Sequence, residues 1–339
     1  MTVATKIMTE IMVGKEVTAG TAVTPVTRLI CEGRVQERRE EEPFEEDDNG
    51  LTARTARAPE HTKHWTEIEL KQKFDFTQAL LAFMAGMEGG IAGVGGAADK
   101  TWTFDRAANV AQLVDTFTFQ YYESDGTNKI RKQAAYCFVT GFEIEIGADG
   151  VPMQTTRLTG RKATAPSNTA IAIPSLQSTA SLLSKIYVDA TWAGLGTTQI
   201  LGQIFGTRYR YETGIFPQWY GDGRTALDFS THHYKKRRAE VELDVAVEPN
   251  AGFVVAEETA REAKTARMVQ IELLGPALGG GTYKLELDGA YYHAPDSMME
   301  IGSERDGNLS RRVHLLSKYD ATGALDVRAV LVNALTSFG

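Results

Sequence analysis

Hydrophobic and polar positions alternate with a period of two over most of this chain, the period of strands with one buried and one wet face. From Thr66, Glu67, Glu69, Lys71, Lys73 and Asp75 oppose Ile68, Leu70, Phe74 and Phe76, with Gln72 breaking the rule. At Thr77, read as an N-cap, the period changes. Leu80, Leu81, Met84 and Met87 fall at helical spacing up to Gly89-Gly90, predicting a helix over Thr77–Glu88. The same succession returns at Ala239, where Glu240, Glu242 and Asp244 oppose Val241, Leu243, Val245 and Val247. Asn250 then opens a helix with Phe253, Ala256, Ala260 and Ala263 on one face.

Further alternating runs complete each half. Phe117, Phe119 and Tyr121, then Phe142, Ile144 and Ile146, are each followed by an Asp-Gly turn with hairpin chemistry, Ser124–Thr127 and Gly147–Gly150. Val269, Ile271 and Leu273 are followed, across the loop Gly275–Gly281, by Tyr283, Leu285 and Leu287. An echo of the opening segment begins at Leu182, with Lys6-Ile7 aligned to Lys185-Ile186, Gly14 to Gly194 and Thr27–Leu29 to Thr207–Tyr209. The expected organisation is therefore a tandem duplication: residues 1–165, a Pro-punctuated linker over 166–181, and residues 182–339. Each half is expected to be mainly β, a sandwich or partial barrel with one flanking helix. Long strands of this kind leave open edges that must be blunted or paired with another subunit.

Four segments read as polar arms ordered by assembly: Met1–Gly14, Gln36–His61, Ile215–Tyr234 and the linker. Within the second, Glu40, Glu41, Glu42, Phe44, Glu45, Glu46, Asp47 and Asp48 are the expected ring-to-ring contacts once an assembly is in view.

Composition adds bounds. The chain has 339 residues and a formal net charge of −8, against a general nucleic-acid-coating protein. Two cysteines suit small buried hydrophobes in a reducing cytosol. The first residues lack a signal-peptide pattern, and no apolar run is long enough for a membrane helix.

The candidate chemistry is thin. Gly89–Gly96 follows a helix and precedes a strand, the reverse of a phosphate-binding context. Glu45–Gly50 lacks the closing glutamate of a calcium loop. His232-His233 are adjacent rather than spaced as zinc ligands. No catalytic, metal or cofactor residues are assigned, and an enzyme is not expected. A surface carbohydrate-binding sandwich is the competing reading, with Trp192, Trp219, Tyr209, Tyr211 and Tyr220 as its aromatic candidates. A glycan or peptide hydrolase, needing a convergent pocket, is a third. Lys235–Arg238 is the one basic run, suited to pairing with an acidic loop of another subunit.

The stretch GKEVTAGTAVTPVTRL, Gly14–Leu29, with the acid-rich segment and strand-helix pair that follow, resembles the start of major tail tube proteins of long-tailed (siphovirus-type) bacteriophages. The resemblance implies tail-tube-like domains whose sheets join into rings, the rings stacking into a tube for DNA ejection. Rings of six such domains would be closed by three two-domain chains. Implied partners are further copies of the chain, other tail proteins at the tube ends, and a tape measure protein and genomic DNA in the lumen, with no membrane. The implied location is the virion tail, assembled in the host cytoplasm. Glu67, Glu69, Glu240, Glu242 and Asp244 are then expected to face the lumen, with Glu143, Glu145, Glu286 and Asp288 behind them.

Overall fold

The computed structural model describes residues 8–42, 60–96, 98–107, 113–124, 129–166, 171–247, 251–299, 303–305 and 307–338. The fold is mainly β and antiparallel. The first half contains β1 (Met8–Lys15), β2 (Thr27–Leu29), β3 (Glu32–Glu42), β4 (Glu60–Lys73), α1 (Leu80–Gly86), β5 (Lys100–Ala107), β6 (Phe117–Ser124), β7 (Lys129–Gly147) and β8 (Met153–Gly160). The second contains β9 (Ser184–Asp189), β10 (Ile204–Glu212), β11 (Ile215–Gln218), β12 (Thr231–Tyr234), β13 (Arg238–Ala246), α2 (Ala251–Glu262), β14 (Arg267–Leu278), β15 (Gly281–His293), β16 (Ser303–Arg305), β17 (Asn308–Ser317) and β18 (Leu325–Asn333).

Pairing repeats between the halves. The first half reads β1-β6-β7-β8-β4-β3 across its sheet, and the second reads β9-β14-β15-β17-β13-β10. Numbered in chain order within each half, both are 1-4-5-6-3-2. The helices occupy the same place, after the third strand. Two joints fuse the halves: β10 pairs with the end of β7, and β5 with β18. One hydrophobic cluster draws on both, including Ile68, Phe83, Phe142, Tyr211, Leu243, Leu287 and Leu331.

Register corrects the sequence alignment. Arg208 lies opposite Glu242 and Arg34 opposite Glu69, so Arg34 is the counterpart of Arg208. Thr27–Leu29 forms the short β2 beside β1 instead.

The first helix is shorter than its periodicity suggests. β4 stops at Lys73, and Asp75 is buried rather than on the wet face. Its carboxylate accepts from the backbone amides of Thr77 and Gln78, both at 2.9 Å, so Asp75 organises the turn assigned to Thr77. All seven residues of α1 are buried, and Phe83 packs against Phe104 and Phe142. On α2 the inward positions are Val254, Glu257 and Ala260, while Ala256 and Ala263 are exposed. Glu257 faces in because it meets Arg267 at 3.0 Å and His293 at 3.2 Å, pairing that makes a buried carboxylate tolerable.

Three of the expected arms are packed where they are described. Met8–Lys15 is an inner strand between β2 and β6, with Ile11, Met12 and Val13 buried. Residues 171–181 tie the halves together. Phe76 N donates to Gln177 O, Gln177 N donates to Asp75, and Thr179 Oγ1 donates to Leu274 O. Ile215–Tyr234 forms the β11-β12 hairpin over a second small core of Val114, Tyr136, Phe138, Ile215 and Phe229. Its many polar residues hid the aromatic anchors Trp219 and Phe229, which cover Trp65 and Phe138.

The stretch carrying the family resemblance is a structural turn. Glu16, 6% exposed, accepts from Gly20 N, Thr116 Oγ1, Thr118 Oγ1 and Tyr136 N at 2.7–3.0 Å. Lys15 pairs with Asp115 at 2.7 Å. A side chain at Gly14 would press on Pro25 and Val23, and Gly20 has a φ of +81°.

Candidate functional site: a charged sheet face with open edges

Eight strands form one continuous layer, in the order β3-β4-β8-β7-β10-β13-β17-β16. Ile68, Leu70, Phe142, Ile144, Tyr209, Tyr211, Val241, Leu243, Val313 and Leu315 bury one face against the core. The other face is charged, as alternation dictates.

The structure brings Glu67, Glu69, Glu240, Glu242 and Asp244 together on that face, along with Glu143 and Glu145. It also places there the arginines that the sequence reading missed. One row reads Arg34, Glu69, Arg157, Gly141, Glu212, Arg238. The next reads Glu32, Lys71, Thr155, Glu143, Arg210, Glu240. A third reads Lys73, Met153, Glu145, Arg208, Glu242, His314. Arg208 Nε meets Glu143 at 2.7 Å, Arg157 meets Glu212 at 2.8 Å, and Arg38 meets Glu67 at 2.7 Å. The hydrogen bond that Arg208 donates to Glu143, above all, pushes its guanidinium above its ordinary value. The expectation of an acidic face is thereby corrected. Acidic strands alternate with basic ones, and opposite charges stand next to each other across the sheet. Period-two alternation of Arg208 and Arg210 against Thr207, Tyr209 and Tyr211 was the available signal.

Glu286 and Asp288 do not belong to this face. They lie on the part of β15 that pairs with β14 and β18, in the second layer. Asp288 is 1% exposed and receives both Nε and Nη2 of Arg328, at 3.0 and 2.7 Å.

The layer ends in two open edges. Among the described residues β3 pairs only with β4, and β16 only with β17. The β3-β4 hairpin also overshoots the layer. Its pairing continues to Glu42 opposite Glu60, whereas β8 ends opposite Thr66. Six residues of β4, Glu60–Trp65, therefore run on past β8 as a stem of roughly 20 Å at the usual strand rise, with His64 and Trp65 at its base covered by the segment that carries β11 and β12. Glu40 and Glu41 lie in this stem, paired with Lys63 at 2.6 Å and His61 at 3.0 Å, and Glu42 faces Glu60. Cross-strand ion pairs do the work of an apolar period here, which is why the segment read as irregular. Phe44, Glu45, Glu46, Asp47 and Asp48 lie outside the described residues.

The aromatic candidates for carbohydrate binding do not converge. Tyr209 and Tyr211 are fully buried, Trp219 sits in the small core, and Trp192 lies under Arg328. Tyr220 is exposed and bonds His233 at 2.6 Å. In the basic run, Arg237 holds Asp326 through two contacts of 2.7 Å and Arg238 holds Glu240, both within the chain. Burial pushes both thiols up, Cys31 to about 12 and Cys137 well above its ordinary value. Among the described residues no three His, Cys, Asp or Glu side chains group as a metal site, and no helix is long and apolar enough to cross a membrane.

The β11-β12 hairpin carries a pH dependence. Burial, then His233, lowers His232 from 6.5, and burial lowers His64, whose amide donates to Leu227 O. A histidine lowered in the folded state leaves stability intact above 6.5. That stability falls away as pH drops from 6.5 through the lowered folded value, because the unfolded form takes the proton first. Acidification from pH 7 to 5 is expected to loosen the hairpin before the rest of the sheet. Hydrogen exchange of residues 215–234 against pH measures this, and His232→Gln should flatten the profile. Exchange that is independent of pH would contradict the assignment.

Comparison with known proteins returns no matching family model and no matching curated protein.

Proposed function

We propose that this chain is a structural subunit that assembles with copies of itself into rings, and that the rings stack into the tail tube of a long-tailed bacteriophage. The observation that carries the reading is the eight-stranded layer with both terminal edges open. An open edge as long as the 11-residue β3 is an invitation to pair, and a ring removes both edges without terminating in a new one. The fused halves already show one such joint, β10 against β7. With two repeats per chain, three chains close a ring of six. In the proposed assembly the β3-β4 stem, with Glu40, Glu41 and Glu42, contacts a neighbouring ring.

In this reading the charged face lines the channel for DNA, and the second layer with its helices lies outside. Other tail proteins meet the tube ends, and a tape measure protein occupies the lumen during assembly in the host cytoplasm. Negative-stain microscopy and sedimentation of the concentrated protein test the proposal. Three-chain rings, or tubes built from them, are expected. A monodisperse monomer at every concentration would overturn it.

A further inference from the structure

The joint inside the chain is a template for the joint between chains. In it, Gly206, Arg208, Arg210 and Glu212 of β10 stand opposite Gly147, Glu145, Glu143 and Gly141 of β7. Each side has a counterpart in the other repeat, fixed by register and not by sequence similarity. On one side, Gly206 and Arg208 correspond to Glu32 and Arg34, because they face Asp244 and Glu242 as Glu32 and Arg34 face Lys71 and Glu69. On the other side, Lys73 pairs with Met153 and Met153 with Glu145, while Ala246 pairs with Ser310 and Ser310 with Ser303. Ser303 therefore stands in the place of Glu145, and Arg305 in that of Gly147.

These two counterparts are the two open edges of the layer. We propose that β3 of one copy pairs antiparallel with β16 of the next, with Arg34 opposite Ser303 and Glu32 opposite Arg305. This inference rests on the ring reading above and names its interface.

Charge supports the register. Among the described residues neither Glu32 nor Arg34 has an ion-pair partner, although both are exposed on a face where their neighbours are paired. Arg208, the counterpart of Arg34, is satisfied across the internal joint by Glu143. The external register sets Glu32 opposite position 305, an arginine in the sequence, so an acidic and a basic position meet at the new seam as they do at the old one. A slip by one residue would turn the charged side chains of β3 toward the core, so the register is strongly specified.

Cross-linking tests the seam. In a chain with Cys31→Ser, the pair Arg34→Cys and Ser303→Cys brings two thiols directly opposite, within disulfide reach across antiparallel strands. Oxidation is expected to give covalent dimers and trimers and nothing larger, while either cysteine alone gives none. Separately, Glu32→Arg should weaken ring formation at least tenfold in protein concentration, and Arg305→Glu in the same chain should restore it. Rings seen by microscopy without the cross-link, or a reversal that Arg305→Glu fails to rescue, would overturn this seam and leave the ring reading standing. A wild-type chain that never forms rings would overturn both.

Discussion

Replacing Asn333 with leucine is expected to lower the unfolding free energy by about 3–5 kcal/mol, although the two side chains are nearly equal in size. Asn333 is fully buried at the end of β18. Its Oδ1 accepts from the Trp102 indole and from Leu335 N, and its Nδ2 donates to Phe76 O, each at 3.0 Å. Leucine would abandon all three groups in a core where water does not reach them. Each buried group left unsatisfied costs about 1–3 kcal/mol, partly relieved by local shifts. The side chain joins the turn after β4, strand β5 and the segment after β18, so the loss falls on the contact between the halves. Urea denaturation measures it, with exposed Thr336→Ala as a control expected to change little. A loss below about 1 kcal/mol would show that these groups find other partners.

Sequence alone revealed the class of fold and most of its period-two strands, because burial of one face writes itself directly into alternation. The strand-then-helix succession was legible in the same way: Glu67–Leu70 lies in β4 before α1 and Glu240–Leu243 in β13 before α2. The parts that stayed hidden are those where a different interaction substitutes for apolar burial. The stem around Glu40 and Glu41 is held by ion pairs, so its alternation carries no hydrophobic signal. The inward face of α2 carries Glu257, whose partners Arg267 and His293 lie outside the helix. Asn333 is a polar residue, two of whose three partners, Trp102 and Phe76, are distant in sequence. The charged face was half legible, since its carboxylates were visible as a set and its arginines were not. Only the pairing of β10 with both β7 and β13 brings Arg208 and Arg210 among them.

That interleaving changes what the face would do in a tube. A wholly acidic wall repels DNA but also repels itself, and confining many carboxylates on one sheet costs folding energy. A wall of alternating charge relieves the second problem. Exposed ion pairs add only about 0–1 kcal/mol each to stability, so in the proposed tube their larger effect would be on the potential presented to the channel. Each guanidinium held by a carboxylate is less available to a phosphate. The double variant Glu240→Lys with Glu242→Lys removes the partner of Arg238 and the more distant of the two carboxylates beside Arg208, leaving Glu143 in place, while adding two cations. Every ring would then offer several new phosphate contacts, and each contact contributes a salt slope near −0.9 in log affinity. In a virus whose tubes assemble normally by microscopy, ejection is expected to slow by more than tenfold at low salt and to recover as salt rises. Glu286→Lys, in the second layer beside Lys284, is expected to leave ejection unchanged. Equal slowing by Glu286→Lys, or an unaltered rate in the double variant, would remove this face from the channel.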